Sequence, residues 1–201
     1  MNSSTGLRVF LSASVPLPSR DPAYFESADL FAIRDAVRAL TMVIVERQIE
    51  LIFGGHPAIS PMIRLQIAET GARVSDRVVV FQSRFFEREF PVDNVAFERV
   101  ILVDAVQNDQ EKSLRRMREV MLEGRFNAGL FIGGMEGVEE EYNLFQKLHG
   151  GVPSFPIAST GAAAAIIFQR DKSLQWKHPE LRDEISYLTL MRGLTSPTMI
   201  G

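Results

Sequence analysis

The chain has 201 residues, 46% of them hydrophobic and 23% charged, which suits one compact α/β domain with a full core. A net charge of −3 gives no electrostatic bias toward nucleic acid, and the absence of cysteine excludes disulfides, thiolate metal sites and cysteine nucleophiles. No uninterrupted apolar run approaches the ~20 residues that span a bilayer, and MNSSTGLRVF lacks the basic region and apolar stretch of a signal peptide, so cytoplasmic residence without a membrane is expected.

Residues 1–6 are expected to form a flexible N-terminus and 7–201 a single domain, because no repeat, low-complexity tract or linker interrupts the chain. The segment 7–11 (LRVFL) reads as a buried first strand, ended by Ser12-Ala13-Ser14 and followed by a proline-rich loop over 15–22. A helix over about 27–47 places Ile33, Val37, Leu40 and Ile44 at helical spacing. A short second strand at 50–53 is broken by Gly54-Gly55-His56-Pro57. Pro61 fits the first turn of the next helix, which Gly71 ends. The third strand is 78–81, and the Phe-rich segment 85–97 is either a small lid or an insertion. A fourth strand at 100–103 precedes a helix over about 110–123, and a fifth at 129–132 runs straight into Gly133-Gly134. A sixth strand, 156–158, leads through Ser159-Thr160-Gly161 into an alanine-rich helix. Beyond Arg170 a polar loop and one helix near 179–190 are expected.

Short apolar strands alternating with helices indicate a parallel sheet covered on both faces. Ligands of such sheets bind at the carboxyl ends of the strands. Four small-residue motifs fall there, and together they predict one continuous cleft for a nucleotide-like ligand. The ligand-binding candidates are Ser12, Ala13 and Ser14; Gly54, Gly55, His56 and Pro57; Gly133, Gly134, Met135, Glu136 and Gly137; and Ser159, Thr160 and Gly161.

Within the glycine motif two glycines allow close backbone approach, and the following helix start presents free N–H groups to an anion. In that helix Val138, Tyr142, Leu144, Phe145 and Leu148 form an apolar arc that contains Glu141, while Glu139 faces away and Glu140 sits at its margin. Glu141 is therefore a ligand-facing acid or a helix-start carboxylate favoured by the dipole. Glu136, Glu139 and Glu140 read as solvated. In the helix from Gln110, Arg118 lies among Leu114, Met117, Val120, Met121 and Leu122, with Arg116 pointing out and Arg115 at the edge. Arg118 either binds a ligand phosphate or carboxylate, or pairs with Glu141. His56 at a strand end can donate to a ligand, while Pro57 beside it can simply set the turn. The three histidines, His56, His149 and His178, show no metal-ligand spacing, so no metal is expected. Ser12 and Ser14 suit phosphate or ribose rather than nucleophilic attack, because no GxSxG elbow is present. Ser159, Thr160 and Gly161 are a second anion site or an ordinary helix cap. Arg34 and Arg38 read as a solvated face; of Phe81, Phe85, Phe86, Phe90 and Phe97, most belong in the core and one can stack on a base. A dinucleotide dehydrogenase is excluded, because the first strand ends in SAS rather than GxGxxG.

The run GGMEGVEEE resembles the GGxGTxxE motif of the Lonely Guy (LOG) enzymes, which are often labelled lysine decarboxylases. Gly133, Gly134 and Gly137 match the glycines and Glu141 the catalytic acid, with one residue added before the third glycine and Val138 in place of Thr. Arg118 is the best counterpart of the family's helix arginine, and Arg115 the next. That resemblance implies a Rossmann-like fold and, if the protein is an enzyme, release of base from nucleoside monophosphates with Glu141 and Arg118 as catalytic residues. Across residues 7–170 the chain is more similar to the wider SLOG superfamily, particularly its TIR-associated branch, through LSASVP, AIRDAVRAL, GGHPAISP, SLRRMR, GGMEGVEEEY and ASTGAA. This second resemblance implies a sensor of ADP-ribose, cyclic ADP-ribose or NAD-like signals in bacterial defence. It needs no cofactor, works as a homo-oligomer, and partners a TIR-domain or effector protein.

Overall fold

The computed structural model describes residues 6–71, 77–90 and 97–200. The expected flexible N-terminus therefore lies, except for Gly6, outside the described residues, as does part of the Phe-rich segment.

Six strands form one sheet: β1 (Arg8–Ser14), β2 (Glu50–Gly54), β3 (Val78–Ser83), β4 (Val100–Val103), β5 (Ala128–Gly133) and β6 (Ser154–Ile157). Their order is β4-β3-β2-β1-β5-β6, and every pairing is parallel. β3 and β5 are buried along their whole length, as strands with helices on both sides require. The chain steps outward from β1 to β4 and then returns to lay β5 beside β1. The strand order thus reverses between β1 and β5, where Ser14 stands opposite Gly133.

The side-chain period of two splits the core into two layers. Val9, Leu11, Leu51 and Phe53 face one cluster, which takes in α2 (Leu30–Arg47), α3 (Ile59–Glu69) and α9 (Tyr187–Leu194). Phe10, Ile52, Val79 and Phe131 face the other, which is covered by α4 (Gln110–Met121), α5 (Glu136–Leu148) and α6 (Ala162–Arg170). At the amino-terminal rim Glu50 joins two arginines: its Oε2 lies 3.0 Å from Arg8 Nε and its Oε1 2.5 Å from Arg99 Nη1.

Several element boundaries differ from expectation. The helix expected over 27–47 is α2, which starts at Leu30 because Asp29 accepts from the Ala32 N–H, and a short helix not expected from the sequence, α1 (Pro22–Ser27), precedes it. The polar stretch beyond Arg170 is helical, as α7 (Lys172–Lys177), with Asp171 capping Leu174. The helix expected near 179–190 is divided into α8 (Glu180–Asp183) and α9, and a short α10 (Pro197–Ile200) follows. After β3 the chain makes a 3-10 turn, Arg84–Glu89. Phe81 and Phe97 are buried, whereas Phe85, Phe86 and Phe90 are half-buried. In α5 Val138 and Phe145 of the expected apolar arc are buried, Tyr142 and Leu144 pack half-buried against the same core, and Leu148 is exposed.

Candidate functional site

A cavity of about 590 Å³ opens at the carboxyl rim, at the point where the strand order reverses. Three of the four expected loops meet there. Ser12, Ala13 and Ser14 end β1; Gly54, Gly55, His56 and Pro57 end β2; Met135, Glu136 and Gly137 start α5. Gly133 and Gly134 sit just behind the wall and shape the turn. The Gly134 N–H donates to the Ser14 carbonyl (2.9 Å), and its φ of +89° is one that only glycine adopts freely. A Cβ there would lie 2.2 Å from Val138 Cγ2.

Ser159, Thr160 and Gly161 do not line the cavity, and they cap no helix through a side chain. Thr160 is fully buried; its hydroxyl donates to the Ile157 carbonyl (2.6 Å) and accepts from the Gly133 N–H (2.8 Å). Ser159 accepts from the Tyr187 phenol (3.1 Å), and Gly161 packs against the Ser27 carbonyl. This motif is a strut behind the glycine turn.

Glu141 is the centre of the site. Its side chain is 15% exposed; Oε2 accepts from Ser12 Oγ (2.6 Å) and Oε1 from Arg118 Nε (3.2 Å). Burial pushes its carboxyl above the usual carboxylate range, against the opposing pull of Arg118 and the Ser12 hydrogen bond. Arg118 pairs with Glu141 and, through Nη1, with Glu140, and it also lines the cavity. Arg115 is exposed and pairs with Glu119.

Glu136 and Glu140 are exposed, as a solvated face requires, but Glu139 is not. Glu139 points away from the cavity, yet it is as covered as Glu141: it accepts from the Tyr24 phenol (2.6 Å) and pairs with Arg170. α1 and α6 cover that side of the helix, so facing away from the ligand is not facing water. Across the cavity mouth Arg20 pairs with Glu136.

His56 Nδ1 accepts from the Ala58 N–H (3.2 Å), which leaves Nε2 to carry the proton of the neutral ring. Burial, with Arg20 nearby, lowers its pKa to about 4. At neutral pH it is a hydrogen-bond donor without charge. The start of α5 has no side-chain cap; the Val138 and Glu139 N–H groups both return to the Met135 carbonyl, and the Glu136 and Gly137 amides have no protein partner among the described residues. An anion can be received there.

In the far half of the cavity sequence reasoning missed Arg20, Gln82, Ser83, Glu89, Gln110, Glu111, Leu114 and Met117; Phe86 and Phe90, which also line it, are two of the five phenylalanines considered for stacking on a base. Ending β3 at Phe81 left Gln82 off the strand-end positions, although the rule that found the other loops applies to it. Leu114 and Met117 read correctly as an apolar helix face but also form part of the cavity wall. Among the described residues no group of three or more His, Asp or Glu side chains is arranged to hold a metal.

A six-stranded parallel sheet with helices on both faces, and a cavity at the strand-order reversal, defines a Rossmann-like α/β protein. The SLOG cluster3 family model matches residues 23–194, and the chain belongs to that family. Among solved structures, the X-ray structure of TM1055, a structural-genomics target, aligns with a TM-score of 0.57 at 16% identity over 81% of each chain, and it shares the fold. No curated protein matches the chain. No helix among the described residues is long and apolar enough to cross a membrane.

Proposed function

We propose that the cavity binds a nucleotide-derived ligand of the ADP-ribose, cyclic ADP-ribose or NAD type and that the protein acts as its sensor in a TIR-linked bacterial defence system. The observation that carries this reading is Glu141, held between Ser12 and Arg118 where the β1, β2 and β5 loops meet. A carboxylate covered in this way is an acceptor for sugar hydroxyls. Five carboxylates and two arginines line the cavity, an acceptor-rich wall suited to a hydroxyl-rich ligand. The free amides of α5, with Arg20 and Arg118, receive its anionic group. Val138 in place of a motif threonine, and one added residue in the glycine loop, favour binding over catalysis, which needs tighter placement. A cytoplasmic setting, self-association and a TIR-domain or effector partner belong to the same proposal. Calorimetry of the purified chain against ADP-ribose, cyclic ADP-ribose isomers and NAD tests it: micromolar or tighter binding of one is expected, and binding of none overturns it.

One observation favours a second reading. The Glu141 carboxyl is pushed up by burial, and an acid held closer to neutrality can deliver a proton to a departing base. A LOG-like N-glycosidase would then release free base from nucleoside monophosphates, with Arg118 holding the phosphate. Chromatographic assay of base release, lost in Glu141→Gln, would establish this activity. A protein that binds nucleotides without turnover returns the sensor.

A further inference from the structure

Gln82 is the described residue whose chemistry the fold leaves unused. It closes β3, is 5% exposed and lines the cavity. Its amide nitrogen is buried with no hydrogen-bond partner. A buried amide left unpaired is destabilising, so such groups are rare unless something else satisfies them. The placement is also built. The carboxamide lies across Gly55, where a Cβ would fall 1.9 Å from Nε2, so any side chain at that position would evict it. The two residues come from neighbouring strand ends, and the glycine keeps the space that the amide occupies.

Around Gln82 the wall changes character. Phe86 and Phe90 follow on the same side, half-buried and facing the cavity, whereas Glu89 and Glu111 discourage a phosphate there. The anion-receiving groups, Arg20, Arg118 and the α5 amides, belong to other segments of the wall. We propose that Gln82 is the specificity-determining residue for the ligand's ring. On binding, its carboxamide turns from Gly55 and pairs with the N6–N7 edge of adenine, one donor beside one acceptor, while the phenylalanines cover the ring faces. The corresponding O6–N7 edge of a 6-oxo purine offers two acceptors and satisfies only the amide. This inference rests on the nucleotide reading above and adds which base the site takes.

The test uses the full chain, with AMP, IMP and ribose 5-phosphate as probes, in wild type, Gln82→Leu and Gln82→Glu. Wild type is expected to bind AMP roughly tenfold more tightly than IMP. Gln82→Leu should lose that preference, weaken AMP by a similar factor and leave ribose 5-phosphate unchanged. The unliganded leucine variant should also melt at or above the wild-type temperature, since it removes an unpaired buried amide. Gln82→Glu, which takes away the donor at the same shape, should weaken both purine nucleotides. An AMP-to-IMP ratio that survives Gln82→Leu overturns the specificity role while the nucleotide reading stands. Loss of ribose 5-phosphate binding together with a large fall in melting temperature marks Gln82 as structural and overturns the role as well. Failure of wild type to bind any of the three probes overturns the specificity role, while the nucleotide reading is decided by the calorimetry against ADP-ribose, cyclic ADP-ribose and NAD.

Discussion

Glu141 and His56 carry opposite charges when ionised, and burial works against the ionised form of each. For Glu141 the folded-state pKa lies above the unfolded one. Its stabilising contribution is therefore complete below the ordinary carboxylate pKa and is lost as pH rises through the raised value. Glu141→Gln is accordingly expected to melt higher than wild type at pH 7 to 8, with the difference shrinking toward pH 4 in calorimetric scans. The same substitution should weaken a ribose-bearing ligand by roughly tenfold, because an acceptor for hydroxyls is lost. His56 runs the other way on the pH axis. Its folded pKa of about 4 lies below the unfolded value, so stability is full above about pH 6.5 and declines as pH falls through the window to about 4, by roughly 3 kcal/mol in all. His56→Gln should flatten that slope in denaturant titrations made across pH 4 to 7. Among single residues, Glu141 and Arg118 were legible because a charge inside an apolar helical arc stands out against its neighbours. Gln82 was not, since a lone polar residue at a strand end breaks no period. Thr160 misled because a hydroxyl at a helix start looks the same whether it meets a ligand or a carbonyl.

At the level of elements, the glycine turn between β5 and α5 is where backbone conformation and site geometry meet. Gly134 combines a positive φ with close approach to Val138, so Gly134→Ala incurs both backbone strain and overlap. A loss of at least ~2 kcal/mol in chemical denaturation is expected, with weakened ligand binding because α5 must shift. This turn was readable in the sequence, as were the short apolar strands, because glycine pairs and period-two runs are local signals. Helix ends were less so. The start of α2 at Leu30, and the short α1 before it, depend on which of several Asp and Ser residues accepts the first amide. The helices beyond Arg170 lean on the β1-side core through Leu181, Leu190 and Met191, contacts that only the assembled sheet supplies. Glu139 shows the same effect: helical geometry turned it from the cleft correctly, and only the neighbouring helices determined that it would be covered.

Across the whole molecule, every loop of the cavity comes from the carboxyl rim, so ligand binding should stabilise the domain as one unit. At a ligand concentration 100 times its Kd, a rise in melting temperature of roughly 5–10 °C is expected in a thermal-shift assay. The parallel architecture was legible at this scale because alternating strands and helices leave few alternatives. The far half of the cavity was not, because Phe86, Phe90 and Met117 carry the same apolar signal whether they pack in the interior or border a cleft.

The amino-terminal rim holds the Arg8–Glu50–Arg99 cluster and contributes nothing to the cavity wall. Because strands of one direction carry all their starts to one side and all their finishes to the other, durability and recognition are written on opposite edges of the same sheet. Glu50→Gln should therefore soften the molecule to heat while its titration curve for a nucleotide stays where it was. A lineage can retune what such a cavity accepts without disturbing how long the molecule lasts.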